Sequence, residues 1–177
     1  MPGKRPDLEP DALRALALRY LGRYAVSAQG LAAYLKRKIR QIETQAARED
    51  PSYEKLDPAL LSARLAQVIE RMKEVQLLDD KTFAQARVTA LQSKGFSRRR
   101  IEADLASKGL RDEATTETLD ALDPLEQARL FARRKRLFPR PGEMPEKAAK
   151  RRDKALAALL RQGFPYQIAR QVLLEGE

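Results

Sequence analysis

Asp57-Pro-Ala-Leu-Leu-Ser-Ala-Arg-Leu-Ala-Gln-Val-Ile-Glu-Arg-Met-Lys-Glu-Val75 sets apolar side chains at Leu61, Leu65, Val68, Ile69, Met72 and Val75. Steps of three and four residues place them on one stripe of a helix, where a half-buried strand would need strict alternation. Asp57 suits the N-cap, and Pro58 suits the first helical position, whose amide has no partner inside the helix. The stretch therefore predicts an amphipathic helix, the most regular one in the chain. The same grammar recurs on both sides of it.

Toward the N-terminus, residues 1–10 hold three Pro and four charges and read as a flexible leader. A helix is expected from Asp11 with Leu13, Leu16, Ala17, Tyr20 and Leu21 inward. A second is capped by Ser27 and faces inward through Leu31, Leu35, Ile39 and Ile42, and residues 46–56 read as an extended connection. Toward the C-terminus, Asp80 is expected to cap a helix carrying Phe83, Ala84, Val88 and Leu91, stopped by Gly95. Ser97 caps the next, with Ile101 and Leu105 inward and Gly109 at its end, and Asp112 opens a short helix bearing Leu119 and Leu122. Asp123-Pro124 starts a helix to about Phe138, with Glu126 placed to close a capping box. A helix at 146–162, the break Gly163-Phe164-Pro165 and a last helix through Leu174 complete the series. No segment alternates with the period of a strand.

Nine helices in three groups follow, and the punctuation repeats: Asp57-Pro58 with Asp123-Pro124, Ser27 with Ser97, Gly95-Phe96 with Gly163-Phe164. The expected fold is all-α, with three tandem three-helix repeats at 11–78, 79–122 and 123–177 stacked into an elongated, curved body.

Composition narrows the chemistry. Among 177 residues there is no Cys, His or Trp, which removes disulfides, thiolate nucleophiles, imidazole bases and the usual zinc ligands. Neither a Walker loop nor GxGxxG is present. Asp79-Asp80 reads as cap and turn in preference to a metal site, because no EF-hand-like ligand spacing accompanies it. The chain is expected to be neither an enzyme nor a cofactor binder. No apolar run approaches the roughly 20 residues of a bilayer span, and the opening Met1-Pro-Gly-Lys-Arg-Pro-Asp7 lacks the apolar core of a secretory signal. A soluble cytoplasmic protein is expected.

The formal charge is +10, from 35 basic and 25 acidic residues. Residues 123–177 hold 13 basic against 7 acidic, whereas residues 79–122 balance at 8 and 8. Three basic clusters stand out. Lys36-Arg37-Lys38 with Arg40 reads as the solvated face of a helix. Lys94 and Arg98-Arg99-Arg100 flank the Gly-Phe turn, and Arg133–Arg136 with Lys147, Lys150, Arg151, Arg152 and Lys154 dominates the last third. The local imbalance of that last cluster points to an acidic partner. Gly95–Gly109 has the punctuation of a helix-turn-helix, although no base-reading signature accompanies it. Contact with nucleic acid is expected to be weak and non-specific, through the phosphate backbone.

These residues carry a resemblance. Gln76-Leu-Leu-Asp-Asp-Lys-Thr-Phe-Ala84 is similar to the Gly-Tyr-Leu-Asp-Asp-x-x-Phe-Ala signature of the RecX family, bacterial regulators of the RecA recombinase. Lys94-Gly-Phe-Ser-Arg-Arg-Arg-Ile-Glu-Ala-Asp-Leu-Ala-Ser-Lys-Gly109 resembles the helix pair of the family's second repeat. Ala15-Leu-Ala-Leu-Arg-Tyr-Leu21 with Ser27–Leu35 resembles its first, and Arg161-Gln-Gly-Phe-Pro-Tyr-Gln-Ile168 its closing motif, with Pro165 where Ser is common. The likeness runs from about Asp11 to Val172. Gln76-Leu77 stands in place of Gly-Tyr, and the links around 41–57 and 139–145 are longer than usual.

The resemblance implies three three-helix repeats and a role in which the protein binds RecA filaments on single-stranded DNA, lodges in the filament groove and hinders extension. RecA recombinase, ATPase and coprotease activities would fall in consequence. The residues expected to contact the filament or its DNA are Arg98, Arg99, Arg133, Arg134, Lys150, Arg151 and Arg152. A monomer is expected. The competing reading is a DNA-binding accessory protein or repressor that acts without RecA; a scaffold adaptor that ignores DNA is the third.

Overall fold

The computed structural model describes residues 6–110, 113–138, 142 and 144–175. Among these every regular element is a helix: α1 (Pro10–Leu21), α2 (Ala28–Glu49), α3 (Pro58–Glu74), α4 (Asp80–Gln92), α5 (Arg98–Ser107), α6 (Glu113–Asp120), α7 (Pro124–Arg134), α8 (Pro145–Arg161) and α9 (Tyr166–Glu175). The chain forms two compact units, Met1–Phe83 and Ala84–Glu177. The division falls inside α4.

The first unit is a three-helix bundle of α1, α2 and α3. Its core holds Leu13 and Ala17 of α1, Leu31, Leu35 and Ile39 of α2, and Leu65, Val68 and Met72 of α3. Leu61, Ile69 and Ile42 pack at its edge. Leu8, within the expected leader, is buried at 5% exposure. Arg64 of α3 holds the segment down, its Nη1 donating to the Leu8 carbonyl at 2.9 Å and its Nη2 to the Glu9 carboxylate at 2.8 Å. Residues 1–5 of that leader lie outside the described residues.

Three expectations are corrected here. α2 runs on to Glu49, so residues 46–49 are helical and not part of an extended link. The cause is tertiary: Glu43 turns inward to 8% exposure and accepts the Leu56 amide at 3.2 Å, fixing the returning chain against the last turns of α2. Val75, expected inward, is the C-cap of α3 and 42% exposed. The two aspartates exchange parts. Asp79, not Asp80, caps α4, accepting the Thr82 amide at 3.0 Å and the Thr82 hydroxyl at 2.6 Å. Asp80 instead reaches across 52 residues to accept the amide of Ala28, the first residue of α2, at 2.7 Å. Ser27 takes the Gly30 amide. Two side chains thus satisfy two of the orphan donors of α2, one local and one from the start of α4.

The second unit contains the rest of α4 and α5 to α9. Ala128, Phe131 and Ala132 of α7 pack with Ala155 and Leu159 of α8, Phe164, and Ala169, Val172 and Leu173 of α9. The Phe131 and Phe164 rings meet tilted, with centroids 6.2 Å apart. Here α7 stops at Arg134, four residues before the expected end, because Lys135 is its C-cap and Arg136 turns to a φ of 53°. Glu126 does not close a box on Asp123; its carboxylate pairs with Arg129. The expected cap at Asp112 lies outside the described residues.

Five helices end on one motif. The amides of Leu77, Phe96, Leu110, Leu137 and Phe164 donate to the carbonyls of Met72, Leu91, Leu105, Ala132 and Leu159, each five residues back. The residue before each is left-handed: Gln76, Gly95, Gly109, Arg136 and Gly163. This is the Schellman closure, with an apolar residue following the turn. The repeated Gly-Phe dipeptide is its sequence trace.

Gly95 carries a second constraint. A Cβ there would lie 2.4 Å from the backbone nitrogen of Phe131 and 3.0 Å from the carbonyl oxygen of Gln127. The turn between α4 and α5 therefore rests directly on the backbone of α7, with no room for a methyl group. Gly95→Ala adds left-handed strain to this overlap and is expected to cost about 3 kcal/mol or more, read as a lowered urea midpoint. Asp80→Ala removes a cap from a distant helix and is expected to cost about 1–2 kcal/mol, measured in the same way.

Candidate functional site

The α4–α5 turn is built first. Ser97 is 4% exposed and works in two directions: its Oγ accepts the Arg100 amide at 3.2 Å, and its hydroxyl donates to the Gln162 carbonyl at the end of α8. Gly163 comes so near that a Cβ would lie 3.1 Å from Ser97 Oγ and 3.2 Å from Arg99 Cδ. On the other side of the turn, Arg134 Nη1 donates to the Ser93 carbonyl at 3.0 Å. The two Gly-Phe turns and the end of α7 thus converge on one short stretch, Ser93–Arg99.

That convergence joins basic residues that the sequence holds in separate clusters. Lys94, Arg99 and Arg100 flank the turn and are exposed, and Arg133, Arg134 and Lys135 stand exposed at the end of α7. Arg99, Arg133 and Lys135 form no ion pair among the described residues. Arg98 differs. Its Nε donates to Glu102 at 2.6 Å and its Nη1 to Asp120, and both hydrogen bonds hold the guanidinium more firmly in its charged form. Arg98 joins α5 to α6 and offers little unneutralised charge to a ligand.

Lys150, Arg151 and Arg152 lie in the first half of α8, Lys150 and Arg152 exposed and Arg151 half-buried. They are ten to twelve residues before Gln162, so about 15–18 Å along the helix axis from the Ser97 contact. The seven expected residues therefore do not form one spot. Arg99 and Arg134 gather around the α4–α5 turn, Arg133 is exposed on the last turn of α7, Arg98 is turned to carboxylates, and the α8 trio stands apart from that turn.

Two contacts that place this surface had no sequence signal beyond charge. Arg87 of α4 forms a fork on Asp104 of α5, Nε to Oδ2 at 2.7 Å and Nη2 to Oδ1 at 2.8 Å. The pair is 17 residues apart, so helical spacing alone does not reveal it. Arg129 similarly bridges Glu126 and Glu175. Both clasps hold acidic groups of this unit on arginines. Among the described residues no group of three His, Cys, Asp or Glu side chains is arranged to hold a metal ion, and no helix is long and apolar enough to cross a membrane.

The Arg87 hydrogen bonds hold the Asp104 carboxyl below the ordinary aspartate range, and the charges of Arg87, Lys108 and Arg100 add to this against partial burial. A carboxylate with a depressed folded pKa stabilises the fold above its unfolded pKa, and that contribution fades as pH falls through the folded value. The urea midpoint is therefore expected to drop below about pH 4. Asp104→Asn should lower the midpoint at pH 7 and flatten this acid dependence, so that the variant and the parent converge as the Asp104 carboxyl becomes protonated in the folded state.

Comparison with known proteins matches this architecture to one lineage. The family model described as RecX, second three-helix domain, matches residues 79–119, which run from Asp79 through the α4–α5 turn to Leu119. Regulatory protein RecX of Myxococcus xanthus (strain DK1622) is 33% identical over 179 residues, covering 96% of this chain and 89% of the relative. Regulatory protein RecX of Agrobacterium fabrum (strain C58 / ATCC 33970) is 28% identical over 138 residues, 78% of this chain and 73% of the relative. That of Mycolicibacterium smegmatis (strain ATCC 700084 / mc(2)155) is 30% identical over 112 residues, 61% and 60% respectively. No solved structure matches the chain. With one-third identity over 96% of the chain and the second-domain motif carried on α4, α5 and α6, the chain belongs to the RecX family of regulatory proteins.

Proposed function

We infer that this protein is a non-catalytic regulator of RecA that binds the RecA filament on single-stranded DNA, lies in its helical groove and hinders extension. Lower recombinase, ATPase and coprotease activities of RecA follow from that. The observation that carries the reading is the kinship with proteins named regulatory protein RecX over 96% of the chain. The exposed basic residues around the α4–α5 turn support it physically, since a nucleoprotein filament presents acidic groups that would speed encounter with such a surface.

On this reading the chain works in the cytoplasm as a monomer built of three three-helix repeats, 11–78, 79–122 and 123–177. Arg99, Arg133 and Arg134 make the principal contact with the filament or its DNA, with Lys150, Arg151 and Arg152 engaging a second stretch. Arg98 acts mainly by holding α5 to α6.

The test is ATP hydrolysis by RecA on single-stranded DNA, with this protein titrated far below the RecA concentration. A fall at substoichiometric ratios is the expected result, because one blocked end silences many subunits. A fall only when the protein suffices to coat the DNA would replace filament blocking with simple sequestration. No fall at any ratio would overturn the reading. Arg99→Glu with Arg133→Glu is expected to raise the concentration needed for half-inhibition about tenfold while circular dichroism stays unchanged. Equal inhibition by that variant would remove the α4–α5 turn from the interface.

A further inference from the structure

The first unit holds an aromatic and cationic arrangement that the second-unit surface does not explain. The rings of Tyr20 on α1 and Tyr34 on α2 stack at 3.8 Å between centroids and 6° between planes. Tyr24 continues the series, 5.0 Å from Tyr20, and is 55% exposed. At the other end the Arg37 guanidinium sits 5.8 Å from the Tyr34 centroid. Arg37 also begins an open groove of about 300 Å³ along α2, lined by Arg37, Arg40, Gln41, Thr44, Gln45 and Arg48. No carboxylate lines it.

The basic residues of this unit divide into paired and unpaired ones, and Arg19, Arg23, Lys36, Lys38, Lys55 and Lys81, like those of this face, form no ion pair among the described residues. Arg14, Arg64, Arg71 and Lys73 each pair with a nearby carboxylate. Arg37, Arg40 and Arg48 form no ion pair among the described residues. Of the two acids on α2, Glu43 is turned into the core toward Leu56, and Glu49 accepts from Gln45. The three arginines span 11 residues, about 16 Å of helix. Arg48 stands on the last turns of α2, present only because that helix continues beyond residue 45.

We propose that this face of α2, with the tyrosine stack at its end, binds single-stranded nucleic acid. The arginine row follows the phosphates, and the exposed Tyr24 ring takes an unstacked base. Aromatic stacking beside a basic groove is the general means of holding a single strand without reading its sequence. A duplex keeps its bases stacked on one another and could use only the arginines. The site is separate from the surface around the α4–α5 turn and does not depend on RecA.

The test uses the full chain and a fluorescein-labelled dT20 oligonucleotide, followed by anisotropy at several salt concentrations, with a 20-base-pair duplex as comparison. The triple variant Arg37→Gln, Arg40→Gln, Arg48→Gln is expected to bind dT20 at least tenfold more weakly. Its slope of log K against log salt should be shallower by about 2, as three lost contacts to a single strand require. Tyr24→Ala should weaken dT20 binding about fivefold and leave the duplex unaffected. The chain has five Tyr and no Trp, so quenching of tyrosine emission by dT20 reports stacking directly and should diminish in Tyr24→Ala. These side chains are exposed or at the rim, and circular dichroism should match the parent. Parent affinity and slope in the triple variant would overturn the site. Equal losses on dT20 and duplex in Tyr24→Ala, or none on either, would overturn the assignment to single strands. Arg99→Glu with Arg133→Glu separates the two surfaces: a loss of RecA inhibition with dT20 quenching retained keeps this site while changing nothing in its basis.

Discussion

The second unit is organised by a backbone approach that only glycine allows. At Gly95 the turn between α4 and α5 lies on the backbone of α7, where a Cβ would meet the Phe131 nitrogen at 2.4 Å. Helices of 8–13 residues such as α4, α5, α6 and α7 are too short to be stable by themselves in water. Their persistence depends on anchors outside their own hydrogen bonds. Gly95 supplies one by letting two backbones touch. Gly163 supplies the reciprocal one, bringing the end of α8 to Ser97 at the start of α5. Between these two contacts the α4–α5 turn has little freedom, and the cations on and around it inherit that fixed geometry.

The distribution of acidic groups gives the surfaces their character. Asp57, Asp79 and Asp123 cap their own helices, Asp80 caps α2 from a distance, and Glu43 secures a loop from within the core. Asp104 and Glu175 are held by arginine forks. The capping aspartates form no ion pair among the described residues, whereas Asp104 and Glu175 neutralise Arg87, Lys108 and Arg129. A formal charge of +10 thereby becomes local surfaces, one near the α4–α5 turn and one along α2. The Leu-Asp-Asp signature is part of the same economy of caps: Leu78 fills the first core, Asp79 starts α4 and Asp80 steadies α2. Its demanding spacing follows from three structural tasks, none of them chemical.

The helical periods were plain in the chain, and so were most of the starts. Ser27, Asp57, Ser97 and Asp123 act as the caps their types suggest, because a cap is a local hydrogen bond over two or three residues. Ends were less legible. α2 extends past residue 45 because Glu43 and Leu56 meet across the bundle, and α7 stops at Arg134 because Arg136 takes a left-handed turn without being glycine. Propensity within a window carries neither fact. Among the site residues, the chain displayed which were basic and hid which were already engaged. Arg98 and Arg99 are neighbours in sequence, yet one faces Glu102 and Asp120 while the other makes no ion pair among the described residues.

By itself the sequence determined the helical class, the inward faces, the capping residues and the excess of positive charge, since each depends on residue type and short-range spacing. The family likeness was also legible, carried by Asp79-Asp80 and the Gly-Phe turns. Only the tertiary structure decided which carboxylate meets which arginine, that Asp80 serves α2, and that the Tyr20 ring of α1 stacks on Tyr34 of α2. These pairings join residues from different helices or distant turns. Their geometry is set by how the bundle packs, and no local period encodes it.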